Sequence, residues 1–320
     1  MKVLAGKWSL AVLMALMLLT FGLQGVVLAQ ETDDPVKIEI YKRFVDNRVP
    51  NPGAAYQAAR DYLQKYPKDK DQYTDYLTKW ITFYERDERK RKLPGLINEK
   101  NFAEAYKTGA KILSDEPDYL RAQIDLGYAG YIAASSKVDT YNAEALGYAK
   151  KAIQSIESGK EPTEWAPFKG KADTLAYLNY AVGFLTLKTA PDQAIDYLLK
   201  AAQYESDIKK TPSTYYFLAA AYESGPYKTM SASYQTQYAN KPETPESKVA
   251  LEKLNVVIDR IIDAYARAIA AAGTDPKTEQ SRKEWLTQVT NYYKFRHEGS
   301  DAGLTEFIAA ALQKPLPPKP

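Results

Sequence analysis

The segment Asn101-Phe-Ala-Glu-Ala-Tyr-Lys-Thr-Gly-Ala-Lys-Ile-Leu-Ser-Asp-Glu-Pro117 constrains the fold more than any other feature, because its pattern recurs along the chain. Ala105, Gly109, Ile112 and Leu113 fall on one stripe of an α-helix, and Pro117 ends it. A small residue in such a stripe lets a neighbouring helix approach closely. The same register appears at Ala55, Ala59, Tyr62, Leu63 and Pro67. It returns more loosely at Ala145, Ala149, Ala152 and Ile153, then at Ala194, Leu198, Ala201 and Ala202. A helical hairpin cannot bury its apolar face alone, so its repetition predicts a stacked array. Such an array points to a binding or assembly surface rather than an active site.

The residues before the repeats read as an export signal. Lys2 and Lys7 form a positive start, Leu10 to Leu23 is an uncharged apolar core, and Val27-Leu28-Ala29 places modest residues before Gln30. Cleavage after Ala29 is the expectation; retention as a membrane anchor is the alternative, since residues 8–29 carry no charge. Without cysteine there is no lipidated anchor and no disulfide, so stability must come from packing. The 43 basic residues, less Lys2 and Lys7, leave 41 against 40 acidic ones. A nearly neutral chain carries no electrostatic case for nucleic acid or an anionic membrane surface. The location expected is secreted or periplasmic, with no membrane insertion after cleavage. The chain is large enough for one elongated stack or two ordinary domains.

Helical periodicity predicts helices over 35–46, 53–66, 71–92, 101–115, 119–131, 142–157, 172–188, 191–205, 213–225, 248–272, 277–297 and 302–314. Pro94-Gly95 is expected to break the third of these. Its charged end, Glu85 to Lys92, reads as a solvated helix terminus or a basic docking patch. In Leu126-Gly127 the glycine admits the partner backbone. In Tyr215, Leu218, Ala219 and Tyr222 a buried stripe precedes a glycine stop at Gly225. The stretch 226–247 is an insertion, and 314–320 is a proline-rich tail expected to be extended polyproline II. That tail reads either as a ligand or as a frayed end.

These segments resemble tetratricopeptide repeats. Tyr215, Leu218, Ala219 and Tyr222 match the first-helix half in one unit, as do Leu126 and Gly127 in another. Ala55, Ala105, Ala145 and Ala194 match the small residue of the second helix, and Pro67 and Pro117 close two units. The resemblance implies an all-α fold, a right-handed α-solenoid of about six helical hairpins over residues 30–313. The aligned alanines stand 50, 40 and 49 residues apart, against about 34 in a standard unit, so long inter-helix insertions are expected.

Patterns that would carry catalysis are missing. A chain with no cysteine and only His297 excludes thiolate nucleophiles and Cys/His zinc patterns. His297, Ser300 and Asp301 are too close in sequence to adopt triad geometry. Gly225-Pro-Tyr-Lys228-Thr229 lacks the glycine before the lysine that a phosphate loop needs. Asp69-Lys-Asp71 starts like a calcium loop but lacks its third ligand and glycine turn. No carboxylate pair stands out for glycoside chemistry, which leaves a hydrolase as the remote alternative. No cofactor is expected.

Tyrosine is the unusual residue, 26 against 9 phenylalanines and 4 tryptophans. Tyr106, Tyr131, Tyr215 and Tyr222 fit the repeat core. Tyr227, Tyr234 and Tyr238 lie instead in the low-charge insertion, among Ser, Thr and Gln, a composition typical of protein contact surfaces. They are candidates for an interface or for a loop folded over the chain's own groove. The apolar helix with Leu304, Phe307 and Ile308 is a second candidate, since uncapped solenoid ends stack head to tail. The function expected is a non-enzymatic interaction scaffold that binds protein, other copies of itself included, as part of an envelope or extracellular filament or tube. The alternative is a monomeric module that holds a peptide or an envelope polymer in its groove.

Overall fold

A computed structural model describes residues 34–320; the expected export signal, from Lys2 to Ala29, lies outside the described residues. Those described residues are all-α, with no strand. None of their helices is long and apolar enough to cross a membrane. Two compact units divide the chain between Tyr84 and Glu85.

The first unit contains α1 (Pro35–Asn47), α2 (Pro52–Lys65) and the beginning of α3 (Gln72–Asn98). Proline starts α1 and α2, where its missing N–H costs nothing, and Asp34 and Asn51 cap them by accepting from Val36 N and Ala54 N. Phe44, Ala55, Ala58, Ala59, Tyr62 and Leu77 form the core, with Trp80 edge-on to Phe44 at 5.0 Å. Asp69 and Asp71 both grip Lys37 Nζ, at 2.6 and 2.8 Å, and raise its pKa.

The second unit holds α4 (Phe102–Asp115), α5 (Leu120–Ser135), α6 (Asn142–Glu157), α7 (Lys171–Thr186), α8 (Pro191–Gln203), α9 (Pro212–Tyr222), α10 (Lys228–Tyr238), α11 (Pro245–Ala272), α12 (Glu279–Arg296) and α13 (Leu304–Ala310). Helices pack in neighbouring pairs: α5 on α6, α7 on α8, α9 on α11, α11 on α12. Successive pairs join through α5 on α7, α6 on α7 and α8 on α9. Ala105, Ala145, Ala194 and Ala219 are fully buried in this packing, as Ala55 is in the first unit. A Cβ on Gly127 would lie 2.7 Å from Cα and 2.8 Å from N of Ala149, so α5 and α6 meet there backbone to backbone.

Three local expectations need correction. Pro94-Gly95 does not break α3, which runs on to Asn98. Leu93 and Ile97 on either side are buried in the core of α4 and α5, and this anchorage outweighs the hydrogen bond the proline cannot make. The charged end of α3 is neither a free patch nor merely solvated. Arg89 reaches Asp115 at 2.8 Å, Lys90 reaches Glu116 at 2.7 Å, and the Lys90 ammonium lies 4.2 Å from the Tyr119 ring centre. These contacts tie α3 to the end of α4.

Finally, Gly225 is not a helix stop. The chain continues through a π-helical turn, Glu223–Tyr227, into α10, so much of the presumed insertion is helix. Pro226 has no N–H, and its ring would strike the carbonyl four residues back in a regular α-helix; the wider π turn accommodates it. Gly225 serves a close approach, since a Cβ there would lie 3.2 Å from Cβ of Pro191.

Candidate functional site

Tyr227, at the end of the π turn, and Met230, Tyr234 and Tyr238 of α10 fall three and four positions apart and therefore share one face. Tyr227 enters the core edge: its ring meets Tyr292 of α12 edge-on at 5.5 Å. Met230 and Tyr234 are partly buried against the core, and Tyr234 contacts Tyr238 at 5.6 Å. No residue of α10 is fully buried. Its open face looks onto the first turns of α11, which start at a reciprocal Thr244–Ser247 capping box. Between the two helices lies a groove of about 560 Å³, with Met230, Tyr234, Tyr238, Val249 and Ala250 as apolar lining. Val249 is half exposed, at 51%. Thr229, Ser233, Gln237, Glu246 and Lys253 form its polar rim.

The π turn that leads into α10 carries Glu223. Tyr265 donates its hydroxyl to Glu223 Oε2 at 2.9 Å, and Tyr292 bonds the same carboxylate. Burial raises the Glu223 pKa, and the two tyrosine hydrogen bonds only partly offset it.

The remaining candidates point inward. Leu304 is buried, and Phe307 and Ile308 pack against the core that α11 shares, so the apolar face of α13 is used within the unit. Gly127 and Tyr222 are likewise buried. His297 stacks on Tyr293 at 4.0 Å, while Asp301 pairs with Lys294 at 3.0 Å instead of with the histidine. Among the described residues no group of three His, Asp or Glu side chains could hold a metal ion.

Sequence reasoning missed a second feature, a continuous row of rings across α5, α7, α9 and α12. Tyr177 touches Tyr128 at 5.4 Å, Tyr128 touches Tyr131 at 5.7 Å, and Tyr131 touches Phe184 at 5.2 Å. Phe184 then meets Phe217 at 5.0 Å, Phe217 meets Tyr216 at 5.5 Å, and Tyr216 stacks on Trp285 at 5.4 Å. Tyr131, read from the sequence as a core ring, is half-buried, as are Tyr128, Tyr177, Phe184, Tyr216 and Phe217. The spacing of Tyr128 and Tyr131 at i, i+3 and of Tyr177 and Phe184 at i, i+7 was visible in the sequence, but which flank of each stripe stays open was not.

Comparison with family models, with curated proteins and with solved structures finds no match to this chain.

Proposed function

We propose that this chain is a non-enzymatic protein-interaction scaffold, exported by its first 29 residues, whose helix pairs form a solenoid of tetratricopeptide type. Its main contact in this reading is with further copies of itself, through the groove between α10 and α11, within an envelope or extracellular assembly. The observation that carries the reading is that Tyr234 and Tyr238 line an open apolar groove with Met230 and Val249 rather than closing it. Tyrosine supplies a large ring at low entropic cost and keeps a hydroxyl for a partner, which suits it as an anchor. The test is light scattering across a concentration series, beside thermal melting. Association is expected for the wild type and its loss for Tyr234→Ser with Tyr238→Ser, with at most a small drop in melting temperature, because Tyr234 touches only the edge of the core and neither ring is fully buried. An association that survives both substitutions removes the groove from the reading.

The row of half-buried rings favours a second reading, a monomeric module that holds a peptide or an envelope polymer along α5, α7 and α9. A wild type that stays monomeric at every concentration supports it over self-association.

A further inference from the structure

Residues 314–320 are not frayed. Four of the six residues from Pro315 to Pro320 are proline, so the segment can be neither helix nor paired strand, and its carbonyls have no partners of their own. The surface of α11 and α8 supplies those partners. Arg267 Nη2 donates to the Pro315 carbonyl at 2.8 Å and the Lys314 carbonyl at 3.1 Å. Arg260 Nε donates to the Pro318 carbonyl at 2.8 Å. Lys319 Nζ reaches both oxygens of Asp196 on α8, at 2.9 and 3.0 Å, and the Asp192 carbonyl at 3.0 Å. Leu316 packs against the core between these polar clamps.

Arg267 makes this a built site rather than a chance contact. It is 3% exposed, and Asp263 holds its Nε at 2.7 Å, which aims Nη2 at the segment. With the segment lifted away, the guanidinium would exchange both carbonyl partners for water, while Asp263 would still hold its Nε. The surface therefore presents a pre-aimed donor to an extended backbone. The occupant itself is held by few groups, most of them near solvent, and a proline-rich strand loses little entropy on docking.

We propose that the α8–α11 surface is a recognition site for an extended proline-rich peptide, that residues 314–320 keep it filled within one chain, and that the same segment of a second copy can take its place. A second copy restores every contact at no chemical cost, and exchange of an identical element is a low-cost route to a dimer. This choice of occupant rests on the self-association proposed above, but the surface is not the Tyr234–Tyr238 groove.

The test uses a labelled peptide carrying residues 313–320, followed by anisotropy. A chain stopped after Gln313 is expected to bind it saturably, and the intact chain at least tenfold more weakly, because its own segment competes at an effective concentration of about millimolar. Asp196→Lys in the stopped chain should weaken binding at least threefold, and a Lys319→Asp peptide should recover it. In sedimentation velocity the stopped chain should form a 1:1 pair with a full chain carrying Asp196→Lys, whose own segment is loosened. The pair should persist when both also carry Tyr234→Ser and Tyr238→Ser, which separates this surface from the groove. If the stopped chain does not melt cooperatively, full-length Lys319→Asp replaces it and should bind the wild-type peptide more tightly than the wild-type chain does. Failure of the peptide to bind either opened variant, or equal affinity for wild-type and Lys319→Asp peptides, overturns the proposal. Peptide binding without the 1:1 pair overturns the second copy as occupant.

Discussion

Glu223 sits where a carboxylate is costly, in the π turn before α10 with two tyrosine hydroxyls as its solvation. Its unfolded-state pKa is near 4.5 and its folded value is higher, mainly through burial. In the window above 4.5 the native state keeps a proton that the unfolded chain has already lost, so stability falls as pH rises through it. Below that window both states are protonated and the penalty vanishes. Glu223→Gln cannot ionise and can still accept from Tyr265. It should melt higher than the wild type at pH 7, with the difference closing by about pH 4. A gap in melting temperature that is the same at both pH values would place the effect elsewhere than the charge. Nothing in Tyr-Glu-Ser-Gly-Pro marked Glu223 beforehand, since its burial depends on α11 and α12, which follow many residues later.

Among the helices, the approach of α5 to α6 has the narrowest tolerance. Gly127→Ala should improve intrinsic helix propensity by up to about 1 kcal/mol. Against this, the added methyl would sit 2.7 Å from the Ala149 backbone, which cannot rotate away, and overpacking of this kind costs about 1–3 kcal/mol. The clash should win, and urea denaturation should show a lower midpoint for the variant. An unchanged or raised midpoint would mean that α5 and α6 separate freely. The pattern of this helix pair was legible: 142–157 is the observed span of α6, and the glycine stood out beside Leu126. Helix α10 was not read as a helix. Its stripe of Met230, Tyr234 and Tyr238, led in by Tyr227 of the π turn, has helical spacing, but Gly225-Pro226 before it and the polar residues between hid the period.

The chain as a whole divides into a small unit up to Tyr84 and a larger one from Glu85, each with its own core. Phe44 is fully buried in the smaller core, and Phe44→Ala should cost about 3–5 kcal/mol there. Scanning calorimetry should resolve two transitions, with the variant lowering the smaller one and leaving the larger in place. A single transition that shifts as a whole would show that the two units unfold together. The division falls where the aromatic stretch Tyr73 to Tyr84 gives way to the charge run Glu85 to Lys92, but α3 runs through it as one helix without a linker or glycine cluster, so the change of composition did not by itself mark a boundary.

What the sequence by itself determined was the all-α class, most helix spans, and the small residues at which helices meet. Those properties follow from local spacing: 3.6 residues per turn selects one face, and alanine, glycine and proline act within a turn of where they stand. The tertiary structure alone decided which side of each aromatic stripe remains open, that Pro94 and Gly225 do not end their helices, and that Arg267 waits for a carbonyl from residues 314–315. These depend on contacts between residues tens of positions apart, where burial energy from a distant partner exceeds any local preference.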